Sequence, residues 1–151
     1  MSERREQPWR DEPVQRGRIL VLTDNPIARS IAVIASTVGR TVLLESADDG
    51  GPGLDARAGD AVVLCDHDAP DAPAVLRAAL ASEASYVAMM ASRRRAAGLV
   101  EELEAEGVDV STLHVPAGHD LGGKAPGEIA LSVVAEIVAE SYGRSGGAMR
   151  G

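Results

Sequence analysis

RILVLTDNPIARSIAVIASTVGRTVLLE, residues 18–45, holds two short apolar runs separated by a helical pattern. The first run, 18–23, is uninterrupted and rich in branched residues, as a strand covered on both faces requires. Pro26 then stands at the first position of a helix capped by Asp24 or Asn25, and Gly39 closes it. The second run, 41–45, is again strand-like. A strand, a helix and a strand in so short a span form a β-α-β unit, whose two strands lie parallel.

The same alternation continues outward. AVVLC at 61–65 follows a Gly/Asp/Pro-rich stretch at 46–60, and a helix over 71–82 leads to the strand SYVAMM at 85–90. Ser92 opens an amphipathic helix over 92–106 that Gly107 ends. A short strand at 112–115 precedes a last helix from Pro126 to about Ser141, with Ile129, Leu131, Val134, Ile137 and Val138 as its apolar stripe. Five strands alternating with helices define an α/β fold: three layers, Rossmann-like and doubly wound, around a mostly parallel five-stranded sheet. The expected strand order is 3-2-1-4-5. Residues 1–17 read as a flexible arm, 18–142 as the folded domain and 143–151 as a flexible Gly-rich tail.

The 151 residues suffice for one domain with a real core. With 45% apolar and 25% charged residues the chain is ordinarily globular, but its 25 alanines and 16 glycines stand against three aromatics. A formal charge of −8 argues against nucleic-acid partners, and so few aromatics leave no base-stacking platform. Cys65 is the lone cysteine, which excludes an intramolecular disulfide and suggests a reducing compartment. No apolar run approaches the roughly 20 residues of a membrane span, and MSERREQPWRDEP is too charged for a signal peptide. A cytoplasmic protein without membrane contact is expected.

Ligands of such sheets bind beyond the carboxyl ends of the strands. Glu45 ends the second strand where an acid would meet a ribose, but a G-x-G-x-x-G turn is missing. Thr23, Asp24, Asn25 and Ala28 occupy that turn, so NAD(P) is a secondary reading. Gly118-His119-Asp120-Leu121-Gly122-Gly123-Lys124 satisfies the phosphate-loop spacing, yet Ala125 replaces the magnesium-binding hydroxyl. Asp24 and Asp66 resemble the acids of response-regulator receivers, with Asp66 as phosphoacceptor, but Val115-Pro116 stands where a lysine belongs. Asp66, Asp68, Asp71 and Asp120 supply hard oxygen donors and His67 and His119 imidazoles for a metal such as Mn, Fe or Zn, though turn and cap roles explain them better. No metal site and no catalytic residue is assigned. Arg93-Arg94-Arg95 at a helix start favours a nearby anion.

Residues 84–107, ASYVAMMASRRRAAGLVEELEAEG, resemble the strand, G-S-R-R turn and helix of the XdhC/CoxI family's Rossmann-type domain. LHVPAGHDLGGKAPGEIALSVVAEIVAE at 113–140 is similar to that family's closing motif, P-x-G-x-D-I-G-x-x-T-P-x-E-I-A-x-S-I-x-A-E. The likeness runs from about 18 to 140. It implies a non-catalytic accessory role in the maturation of a molybdenum hydroxylase of the xanthine dehydrogenase or CO dehydrogenase class. Such a protein binds the molybdenum cofactor (molybdopterin) or docks the apo-enzyme. By resemblance, Asp120, Gly122, Pro126 and Glu128 match the closing motif, with Gly118 and His119 counted beside them as cofactor-binding candidates, and Ser92, Arg93 and Arg94 match the G-S-R-R turn. His67 and Asp68 match its H-D pair, and Arg29 the arginine after its glycine loop. An anionic pterin phosphate would then suit Arg93 and Arg94 with Arg29 beside them.

The departures are specific. Thr23-Asp24-Asn25 replaces the glycine loop, Ala91 the glycine before Ser92, and His119 sits within the closing motif. The family's separate cysteine-bearing N-terminal domain has no counterpart in 1–151, so it is an expected partner beside the molybdenum hydroxylase apo-enzyme. A homodimer through the aliphatic surface of the last helix is the remaining partner reading.

Overall fold

The computed structural model describes residues 17–45 and 55–150. Residues 1–16 of the expected arm at 1–17, the stretch 46–54 and Gly151 lie outside the described residues. Every expected element forms, within two residues of its expected ends. In chain order these are β1 (Ile19–Leu22), α1 (Pro26–Thr37), β2 (Val42–Glu45), β3 (Ala61–Leu64), α2 (Ala72–Ala81), β4 (Tyr86–Met89), α3 (Arg93–Ala105), β5 (Leu113–His114) and α4 (Pro126–Ser141).

The strand order is β2-β1-β3-β4-β5, with all four pairings parallel. This corrects the expected order 3-2-1-4-5. β3 pairs with β1 on the side away from β2, setting Leu20 against Val62 and Leu22 against Leu64. Burial is the reason. All four residues of β3 are buried, which a strand achieves only between two neighbours. β2 leaves Leu43 and Leu44 exposed and forms the edge. Removing the outermost strand of the 3-2-1-4-5-6 dinucleotide order and renumbering gives the same arrangement.

Alternate residues of the central strands feed two cores. Ile19, Val21, Ala61, Val63, Tyr86 and Ala88 face α1 and α4, whereas Leu20, Val62, Leu64, Val87 and Met89 face α2 and α3. The winding therefore reverses between β1 and β3, where such sheets open a ligand crevice at their carboxyl ends. The two helical layers differ. α1 packs directly on α4, while α2 and α3 stand apart. At the opposite edge of the sheet, buried Asp60 receives the Arg18 guanidinium at 2.6 Å and the amides of Arg18 and Arg57. Burial pushes the Asp60 carboxyl up, and these donors, Arg18 first, hold it below its usual value.

Candidate functional site

The turn after β1 sits at the reversal point. Thr23 has φ 75°, a conformation that glycine adopts freely and a β-branched residue does not. Asn25 caps α1: its Oδ1 accepts from the Ala28 amide at 2.9 Å, and its Nδ2 donates to the Cys65 carbonyl at 3.0 Å. One side chain thus ties the ends of β1 and β3 together. The hollow left there, between Leu22, Thr23, Leu64 and Asp66, measures about 20 Å³, far below the roughly 300 Å³ at which ligand pockets begin. Asp24 is spent on Arg29, with 2.8 Å between its Oδ1 and the guanidinium Nε. That hydrogen bond lowers the Asp24 carboxyl and raises the Arg29 guanidinium. Burial drives the Cys65 thiol up to about 12, so it is no nucleophile at neutral pH.

A second group gathers where β3 and β4 meet α3. Asp66 Oδ1 accepts from the Asp68 amide at 2.9 Å, the ordinary use of aspartate in a turn. His67 Nδ1 lies 2.8 Å from the Met90 carbonyl, which can only accept, so Nδ1 carries the proton. Asp68 is 3.4 Å from His67 Nε2 and 3.2 Å from the Arg95 guanidinium. Ser92 caps α3 through Arg95 N, as expected for a helix-opening serine. Arg93 is 84% exposed and reaches Asp120 at 3.3 Å, a weak surface pair. Arg94 has no side-chain partner among the described residues. Arg29 is not brought beside these arginines. It belongs to α1, in the layer on the opposite face of the sheet.

The loop from 116 to 125 follows a cis Val115–Pro116 peptide. Its phosphate-loop spacing does not make a phosphate cradle. The Gly118 amide donates to Glu136 Oε1 at 3.0 Å and the His119 amide to the Ser132 carbonyl at 3.2 Å. Gly118 has φ 95°, and a Cβ there would collide with Ser132. Gly122 has φ 86° with open space around it, whereas Gly123 lies against the Glu128 carboxylate. His119 Nε2 is buried with no hydrogen-bond partner among the described residues, and Gly146 lies against its ring. Glu45 ends β2 at the carboxyl edge of the sheet, with β1, β3 and β4 between it and β5, from which this loop follows. Among the described residues no three His, Cys, Asp or Glu side chains converge as a metal site.

Sequence reasoning missed the acid behind the loop. Glu136 Oε1 accepts from Tyr86 Oη at 2.6 Å as well as from Gly118, and its Oε2 lies 3.7 Å from His114 Nδ1. His114 stacks on Tyr86 with ring centroids 4.4 Å apart. Burial would raise the Glu136 carboxyl, but His114, Tyr86 and the Gly118 amide together bring it down to about 2. Burial first, then the Glu136 contact, pushes the Tyr86 hydroxyl upward. A signal existed. Glu136 interrupts the stripe of Val133, Val134 and Ile137, and an acid there needs donors.

The sheet and its crest define a doubly wound, Rossmann-type domain whose reversal point holds, among the described residues, a hollow too small for a ligand. The sequence profile of the XdhC Rossmann domain matches residues 19–137, and the chain belongs to that family. It is 35% identical over 68 residues to the uncharacterized protein YqeB of Escherichia coli K12, a match spanning 43% of this chain and 13% of that one. It also resembles a solved xanthine dehydrogenase structure from Bacillus halodurans, with a TM-score of 0.71 and 19% identity over 86% of this chain. The chain covers less than half the length of either protein, 44% of the latter.

Proposed function

We propose that the protein is a non-catalytic accessory factor in the maturation of a molybdenum hydroxylase, of the xanthine dehydrogenase or CO dehydrogenase class. The observation that carries this reading is the match of the XdhC Rossmann domain along residues 19–137. The geometry favours binding and docking over dinucleotide redox chemistry. Asn25 and Thr23 fill the crevice that a pyrophosphate would need, and Cys65 is buried and protonated.

The molybdenum cofactor is a pterin with an anionic phosphate tail. Ser92, Arg93 and Arg94 suit that tail, since the first α3 amides and two exposed guanidiniums stand there. His67, Asp68, Gly118, His119, Asp120 and Gly122 form the rest of the surface offered to the apo-enzyme. The cofactor would supply the oxo-transfer chemistry of the client, and this chain would hold and present it.

The test is reconstitution. Apo-hydroxylase is incubated with cofactor, with and without this protein together with any separate cysteine-bearing XdhC domain. Faster recovery of hydroxylase activity, with retention of the apo-enzyme on the immobilised chain, is the expected result. Equal recovery in both arms and no retention overturn the proposal.

A further inference from the structure

We infer that the cleft between α2 and α3 is a binding site for a small organic phosphate monoester. This cleft has a volume of about 690 Å³, within the ~300–1,000 Å³ typical of ligand pockets. The closed crevice at the sheet reversal is a different place, on the β1 side of β3. The splay of α2 from α3 creates the space, and the close packing of α1 on α4 shows that splay is no general property of this fold.

The lining has two characters. Ala72, Leu76, Met89, Gly98 and Leu99 make an apolar floor and walls, and His67, Ser92, Arg94 and Arg95 surround the end nearest the strand termini. At the far end Arg77 sits between two carboxylates, Glu106 at 2.6 Å and Glu102 at 3.4 Å, so that end carries no spare positive charge. At the near end Arg95 is paired with Asp68 at 3.2 Å, which leaves Arg94 as the unpaired guanidinium there among the described residues. The Arg93 and Arg94 amides begin α3, where no intrahelical acceptor precedes them. A phosphate dianion at that end would collect a guanidinium, backbone donors and the helix dipole together.

Gly98 is an independent observation. It lies in the middle of α3, where glycine costs about 1 kcal/mol relative to alanine. A Cβ added to it would meet nothing within 4 Å, so no packing within the chain requires a glycine. The residue does line the cleft. A ligand body passing close to the helix backbone accounts for it, and a side chain there would fill the ligand's space.

Calorimetric titration of the full chain tests this with adenosine 5′-monophosphate, phosphorylated oxidised molybdopterin and inorganic phosphate as probes. The inference deepens the accessory reading, which already gives the start of α3 to the cofactor's phosphate, and adenosine 5′-monophosphate tests the cleft apart from that reading. One-to-one binding of either ester is expected, and which ester binds identifies the source of the phosphate. Gly98→Leu should weaken it at least about tenfold while leaving the melting temperature equal or higher, and Arg94→Glu should weaken it to a similar degree. Arg94 is exposed and bonds no described side chain, so that variant folds. The inference is overturned if neither ester saturates by about 1 mM. It is equally overturned if Gly98→Leu binds as the parent does, or if inorganic phosphate binds as tightly as the esters. Apo-enzyme retention that survives in Gly98→Leu would separate this site from the docking role.

Discussion

At the level of single residues, the turn after β1 is held by side chains where a dinucleotide fold would place glycines. Thr23 holds a left-handed backbone, and Asn25 substitutes two hydrogen bonds for the space a ligand would take. Thr23→Gly should therefore raise unfolding stability by about 1 kcal/mol, since relief of the strained backbone outweighs glycine's extra entropy. Asn25→Ala should lower it by about 2 kcal/mol through loss of the cap and the bridge to Cys65. Chemical denaturation of the two variants checks both signs. Glu136 makes a pH prediction. Its folded carboxyl sits at about 2 against an ordinary 4.5, so both states are ionised above 4.5 and its contribution is complete there. As pH falls from 4.5 toward 2 the unfolded chain protonates first and the contribution disappears. At pH 7 Glu136→Gln should cost about 2 kcal/mol, and parent and variant should converge near pH 2 in denaturation curves. The strands and helices could be read from the sequence because RILVLT, AVVLC and the Ser92–Gly107 helix each carry local patterns. Glu136 could not be placed, because its donors come from β4, β5 and the 116–125 loop, far away in sequence.

Among elements, α4 shows how a motif can be satisfied in spacing and refused in structure. Its cap position, Ala125, offers no side-chain hydrogen bond, and in the loop before it the amides of Gly118 and His119 are turned toward Glu136 and the Ser132 carbonyl. Ala125→Ser completes the phosphate-loop consensus by one atom. It should stabilise the helix by about 1 kcal/mol and raise the melting temperature by roughly 2–4 °C. Titration with ATP and magnesium should still be flat, because a hydroxyl does not free the engaged amides. Saturable nucleotide binding by that variant would show the loop to be more permissive than its hydrogen bonds indicate. Strand order was the element-level feature that sequence reading missed. β2 and β3 are both short apolar runs, and the stretch between them gave no local sign of which side of β1 the chain would take. The discriminating feature was the composition of each run. AVVLC carries nothing polar, as a central strand demands, while TVLLE begins and ends with polar residues.

The whole molecule is unevenly consolidated, and the uneven side is the one proposed to bind. α4 buries Ala130, Ser132, Val133, Val134 and Ile137 against α1 and the sheet. α3 buries only Ala96 and Leu103, and faces α2 across an open cleft. Burial of apolar surface contributes about 25 cal/mol per Å², so the energy holding each helix scales with these lists. Regions that admit ligands are drawn from the less stable part of a structure. Native-state hydrogen exchange should therefore find α3 opening at a free energy lower than α4 by about 2 kcal/mol or more. Saturating the α2–α3 cleft with a bound ester should slow exchange in α3 and leave α4 unchanged, because the ligand bonds only the α2–α3 layer. Uniform exchange across both helices would mean that the domain opens as one unit. The open cleft would then be a rigid gap in a cooperative fold, and α3 would have no local opening for a ligand to suppress.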